Sequence, residues 1–89
     1  MREIQITLIN KLGLHARASA KFVSTAARFQ SQIEVIKDQQ IINGKSIMSV
    51  MMLAAKLGTV LTLRMNGPDE EKMEEGLIAL IQDRFHEAE

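Results

Sequence analysis

The sequence predicts an α+β domain in which helices cover one face of a mainly antiparallel sheet. Three observations carry this. Short runs alternate apolar and polar residues, as half-buried strands do. Between them lie segments whose apolar residues recur in one stripe at helical spacing, a stripe that must be buried against another layer. Each change of period falls at a Gly, Pro, Asn or Ser break. The order read along the chain is β-α-β-β-α-β-α. At 89 residues and 46% apolar content, a single domain over 1–89 is expected.

The first strand is expected over about Arg2 to Ile9, with Ile4, Ile6 and Leu8 alternating against Glu3, Gln5 and Thr7. Asn10 to Gly13 breaks the alternation. The first helix should run from about Ala16 to Arg28, burying Ala16, Ala20, Val23 and Ala27, with Phe22, Ala26 and Phe29 widening the stripe. Gln30-Ser31 ends it. Ile33 and Val35, alternating with Gln32 and Glu34 and continuing through Ile36, make a second strand. Asp38-Gln39-Gln40 is a connector of hairpin length to a short third strand at Ile41-Ile42, which Asn43-Gly44 closes. Ser46 is a plausible N-cap for a second helix, with Ile47, Val50, Met51 and Ala54 as its stripe and Leu57-Gly58 as its stop. Leu61 to Met65 alternate as a fourth strand after Val60. Asn66-Gly67-Pro68-Asp69 is the sharpest turn signal, and it opens a helix with Asp69, Glu70 and Glu71 at the start, where the helix dipole favours acids. Met73, Leu77, Leu80, Ile81 and Phe85 form the stripe of that last helix. Each βαβ step would leave its two strands parallel, with another strand between them.

His15 falls at the first strand-to-helix junction, an unusual place for histidine. Helix starts recruit Ser, Thr, Asp or Asn, whose oxygens accept from first-turn amides. Imidazole does this poorly, so the amides of Ala16, Arg17 and Ala18 keep donors with nothing assigned to them. Those donors, the positive end of the helix dipole and the Arg17 guanidinium converge on one point, an anion site beside a nucleophile able to carry a covalent group. On spacing alone, a solvated loop histidine next to an ordinary surface cation explains the pair equally well.

The residues themselves add to this. Gly13-Leu14-His15-Ala16-Arg17 resembles the active-site motif of the HPr family, the histidine phosphocarriers of the bacterial phosphoenolpyruvate-dependent phosphotransferase system. Gly44-Lys45-Ser46-Ile47-Met48 resembles the regulatory-serine motif of the same family, and the resemblance covers the whole chain. It implies an open-faced sandwich with strand order 1-4-2-3. It also implies a relay in which Enzyme I phosphorylates His15 on Nδ1 and an EIIA-type acceptor receives the group, with Arg17 stabilising the phosphate and no cofactor. By the same resemblance an ATP-dependent HPr kinase/phosphorylase would modify Ser46, and Ile47, Met48 and Met51 would face partners. One short helix cannot bury Ile47, Met48, Met51 and Met52 together, although Met51 or Met52 taken singly reads as core filler.

Three departures from the family pattern stand out: Ala18 where Pro is common, Leu12 where sugar-type carriers often have Ser or Asn, and Ala54 where many members have Gly. Pro in the first turn would only remove an amide that lacks an intrahelical partner, so Ala18 leaves the chemistry intact. Asn10 to Gly13 and Asn66 to Pro68 look more like the nitrogen-type paralogue, NPr, whose relay regulates metabolism rather than feeding sugar import. The Ser46 motif pulls towards the sugar-type carrier. An acylphosphatase-like hydrolase, also a small α/β phosphate binder, is the alternative from another class, but its Gly-Arg-Val-Gln-Gly type loop is missing.

Composition narrows the setting. The absence of Cys, of a signal-like apolar run and of a spanning-length stretch points to a cytoplasmic protein without membrane insertion, read as a monomer. Net charge is zero, but residues 1–66 hold nine Lys/Arg against three Asp/Glu (+6) and residues 67–89 hold two against eight (−6). Lys11, Arg17, Lys21 and Lys45 lie in or beside the two motifs and would steer acidic or phosphorylated partners. Nucleic acid is disfavoured, because three Phe and no Tyr or Trp leave little for bases to stack on. His86, near the end of the last helix, and the Glu-rich face of that helix read as solvated surface, and no cluster has metal-ligand spacing.

Overall fold

The computed structural model describes residues 1–88. Its elements are β1 (Arg2–Thr7), α1 (Ala16–Ala26), β2 (Gln32–Lys37), β3 (Gln40–Asn43), α2 (Ile47–Met52), β4 (Val60–Asn66) and α3 (Glu70–Gln82), followed by a short 3₁₀ turn, Arg84–His86. The sheet order is β1-β4-β2-β3 with every neighbouring pair antiparallel, so β1 and β2 run parallel with β4 between them, as expected.

Alternation decides the two faces of the sheet. Leu61, Leu63 and Met65 of β4 and Ile33 and Val35 of β2 are buried under the helices, joined by the half-buried Ile4 and Ile6 of β1. The opposite face is largely polar, with Ile41 and Val60 as exposed apolar residues on it. There Arg64 lies opposite Glu3 on one neighbour and Glu34 on the other, and it donates to both carboxylates at 3.0 and 3.2 Å, a cross-strand charge ladder on solvated pleats.

Several local expectations are corrected. The buried stripe of α1 is Ala18, Ser19, Phe22, Val23, Thr25 and Ala26; Ala16, Ala20 and Ala27 are exposed. Small alanines fit either side of a helix, so they mark its phase poorly; Phe22 and Val23 set it. The helix also stops at Ala26, short of Arg28. In α2 only Val50 is buried, with Leu53 and Ala55 just beyond, and the helix ends at Met52 rather than at Leu57-Gly58. Its terminator is Ala54, held at φ +50°, the left-handed conformation in which glycine is the usual residue. The β2–β3 connection is a tight two-residue turn, Asp38-Gln39, and Gln40 belongs to β3.

Asp69 precedes α3 but does not cap it with its side chain. The carboxylate instead accepts from the Gln30 and Ser31 amides, both at 2.9 Å, and from the Ser31 hydroxyl. It thereby ties the α1–β2 loop to the start of α3. The Ser31 hydroxyl first, then the Gln30 amide, hold this carboxyl down at about 2. The acidic face of α3 is not wholly solvated either: Glu74 is buried and accepts Arg2 at 2.8 Å.

Phe85 is buried as expected, though not on a helical stripe. Arg84, Phe85 and His86 have φ of 53, 55 and 64°, so the chain turns sharply after α3 and Phe85 drops into the core from that turn. His86 accordingly sits beyond α3, where its Nδ1 meets the Asp83 carboxylate.

Candidate functional site

The segment from β1 to α1 is pinned to the loop that follows α2. Leu8 is fully buried and exchanges backbone bonds with Thr59 and Gly58 at 2.9 and 2.8 Å. Asn10, also buried, donates its side-chain amide to the Gly13 carbonyl at 2.8 Å. Gly13 sits at φ +64°, and a Cβ there would lie 2.3 Å from the Ala55 carbonyl oxygen. The next residue, Leu14, buries its side chain and donates to that same oxygen at 2.9 Å. Two loops therefore touch backbone to backbone immediately before His15.

His15 is the N-cap of α1, with extended backbone (φ −74°, ψ −179°) and no side-chain capping bond. Its carbonyl opens the helix by accepting from the Ser19 amide at 2.9 Å. The first-turn amides of Ala16, Arg17 and Ala18 thus have no side-chain cap, as the sequence suggested, and the dipole end of an eleven-residue helix faces outward. Arg17 is exposed and has no ion-pair partner among the described residues. His15 and Arg17 line one open concavity together with Lys11, Leu12 and Glu87.

Glu87 was not singled out by sequence reasoning. Its Oε2 meets Nε2 of His15, and its Oε1 accepts from the Asn10 side-chain amide at 3.1 Å. Burial alone would push the Glu87 carboxyl up. Hydrogen bonds from His15 and Asn10, with attraction from His15 and Lys21, outweigh that and leave it lowered. No spacing rule links residues 72 positions apart. In the sequence Phe85 reads as part of the stripe of the last helix, so nothing there signals the turn after Gln82 that brings Glu87 back to His15.

Among the cations near the two motifs, Lys21 donates to the Phe85 carbonyl and Lys45 to the Phe29 carbonyl, at 2.5 and 2.7 Å. Ser46 is the N-cap of α2 and accepts from the Ser49 amide at 3.3 Å. Behind it Ile47, Met48, Met51 and Met52 are all exposed, Met52 at 74%, so neither Met51 nor Met52 is core filler. The α2 helix packs on α1, and the exposed Leu12 flanks His15.

Among the described residues no helix is long and apolar enough to cross a membrane, and no group of His, Cys, Asp and Glu side chains could hold a metal ion.

Residues 2–83 match the family described as PTS HPr component phosphorylation site. The phosphocarrier protein HPr of Cupriavidus necator is 49% identical over 89 residues, covering all of both chains. The crystal structure of HPr-C-His from Thermoanaerobacter tengcongensis superposes with a TM-score of 0.96 at 46% identity, again over the whole of both chains. A dimeric HPr from the same organism superposes at 0.78, with 47% identity over 98% of this chain and 100% of that one. With the strand order 1-4-2-3 and a capless helix start at His15, this full-length likeness leaves one conclusion: the chain belongs to the HPr family of phosphocarriers.

Proposed function

We propose that His15 is the residue on which this phosphocarrier holds its cargo, taking a phosphoryl group from Enzyme I on Nδ1 and passing it to EIIA-type acceptors. The observation that supports this most is the helix start itself. A nucleophilic ring occupies the N-cap of α1 without capping it, so the amides of Ala16, Arg17 and Ala18 and the Arg17 guanidinium can receive phosphate oxygens. The phosphate would supply the cap that the side chain omits. Phosphoryl transfer asks for in-line placement and charge stabilisation, and the open concavity leaves room for a partner protein to bring its phosphoryl group in.

Ser46 is the regulatory position in this reading. A phosphate added there by an ATP-dependent HPr kinase/phosphorylase would sit at the end of α2, adding nearly two negative charges beside the exposed Ile47, Met48 and Met51. Those side chains form the docking face. Flexible thioethers suit a surface that must accept more than one partner. The carrier works in the cytoplasm and as a monomer.

Intact mass after incubation with phosphoenolpyruvate and Enzyme I tests the relay. One acid-labile phosphate that is absent from His15→Ala supports it, and no added mass with a competent Enzyme I overturns it. Drainage into sugar-type or nitrogen-type EIIA proteins then assigns the branch.

A further inference from the structure

The C-terminal tail reaches His15 through a chain of contacts that surface drift would not produce. Phe85 is fully buried and anchors it. Three successive left-handed residues, Arg84 to His86, reverse its direction, and Lys21 of α1 holds the Phe85 carbonyl. The next residue, Glu87, then has both carboxylate oxygens engaged: one by the buried Asn10, which also braces Gly13, and the other by Nε2 of His15.

We propose that Glu87 is a positioning residue for phosphoryl transfer, holding the ring proton of His15 on Nε2 so that Nδ1 presents its lone pair to phosphorus. This rests on the reading of His15 as the phosphoryl carrier. A neutral imidazole has one N–H, and a carboxylate can only accept. Glu87 carries its charge, so a neutral His15 bonded to it has its proton at Nε2 and its lone pair at Nδ1.

The step then balances without moving a proton. The Nδ1 lone pair forms the bond to phosphorus, and the donor's bond to phosphorus breaks with its electron pair returning to the donor. The ring becomes cationic, and its Nε2–H stays against the Glu87 carboxylate. Return to an acceptor reverses these changes with the same proton still in place. Asn10 and Lys21 act one contact further out, fixing the carboxylate and the tail that bears it.

Two measurements on Glu87→Gln and Glu87→Ala test this. The first is NMR of the unphosphorylated protein labelled with ¹⁵N at His15, under conditions where the ring is neutral. The wild type should show a slowly exchanging, downfield Nε2–H proton. That signal should move upfield in Glu87→Gln and vanish in Glu87→Ala. The second is the steady-state rate of phosphoryl uptake from Enzyme I, where kcat should fall about tenfold or more, the size expected for a lost charge-assisted hydrogen bond, with KM unchanged.

An Nε2–H signal indifferent to both substitutions overturns the proposal. So does a lost signal with kcat within about twofold of wild type, and so does a defect confined to KM, which would make Glu87 a docking residue. Should the wild type take no phosphate at all, the carrier reading falls and takes this inference with it. The NMR arm, which needs no Enzyme I, still reports the contact, so the two failures are told apart.

Discussion

Replacing Gly13 by alanine tests how tightly the loop before His15 is held. The added Cβ would stand 2.3 Å from the Ala55 carbonyl oxygen and 2.8 Å from the Lys56 Cα, both backbone atoms that no side-chain rotation can clear. The residue must also keep φ +64°, which costs an alanine about 1–2 kcal/mol. To relieve the overlap the two loops must separate by more than half an ångström, which weakens the 2.9 Å Leu14–Ala55 hydrogen bond, worth about 1 kcal/mol. The loss of chain freedom in the unfolded state offsets about 0.4–1 kcal/mol of this. A net destabilisation of about 1–3 kcal/mol follows, or roughly 5–20 °C in Tm for a domain of this size. Gly58→Ala is the matched control. Gly58 also has a positive φ, +88°, but a Cβ there meets nothing within 4 Å, so only the conformational cost applies. Thermal unfolding followed by circular dichroism compares the two, and phosphoryl uptake on the same samples reads the effect on His15. If Gly13→Ala costs no more than Gly58→Ala, the close approach of the two loops does not constrain the site and the reasoning is refuted.

Other outcomes follow from single features of the fold. Phe85→Ala should cost about 3–5 kcal/mol in urea unfolding, the usual penalty for a buried Phe, and should free the tail, removing the downfield His15 signal along with the anchor. Ala54→Gly should raise stability by about 0.5 kcal/mol, because relief of the left-handed strain exceeds the entropy that glycine adds to the unfolded chain; a lower Tm would show that the Ala54 methyl makes contacts worth more than the strain. Asp69 titrates at about 2 in the fold against an ordinary 3.8. Its contribution to stability is therefore complete above about pH 4 and drains away as pH falls through 2. Asp69→Asn should lower stability at neutral pH and flatten the loss between pH 4 and 2, as denaturant midpoints across that range would show.

Much of this protein is written locally. The alternation at Leu61, Leu63 and Met65 names the inner face of β4 without reference to any other strand, and all three are fully buried. The helix start at His15 is legible because the omission of a capping side chain is itself local, and the exposed face of α2 follows from counting apolar residues around one turn. Where local rules are ambiguous, the fold departs from what they predict. Alanines in α1 left its phase open, and α2 was carried too far because Ala54 hides a glycine-like conformation.

What the sequence by itself determined is the order of elements, the sheet's inner residues and the helix start at His15 without a capping side chain, since each depends on neighbours within a turn or a pleat. The tertiary structure alone decided which carboxylates became part of something. Asp69 serves a loop 38 and 39 positions away, Glu74 an arginine 72 away and Glu87 a histidine 72 away. In the sequence these are three members of one acidic run. Folding sorts them, because a carboxylate's role depends on which donors are brought to it, and separation along the chain carries no record of that.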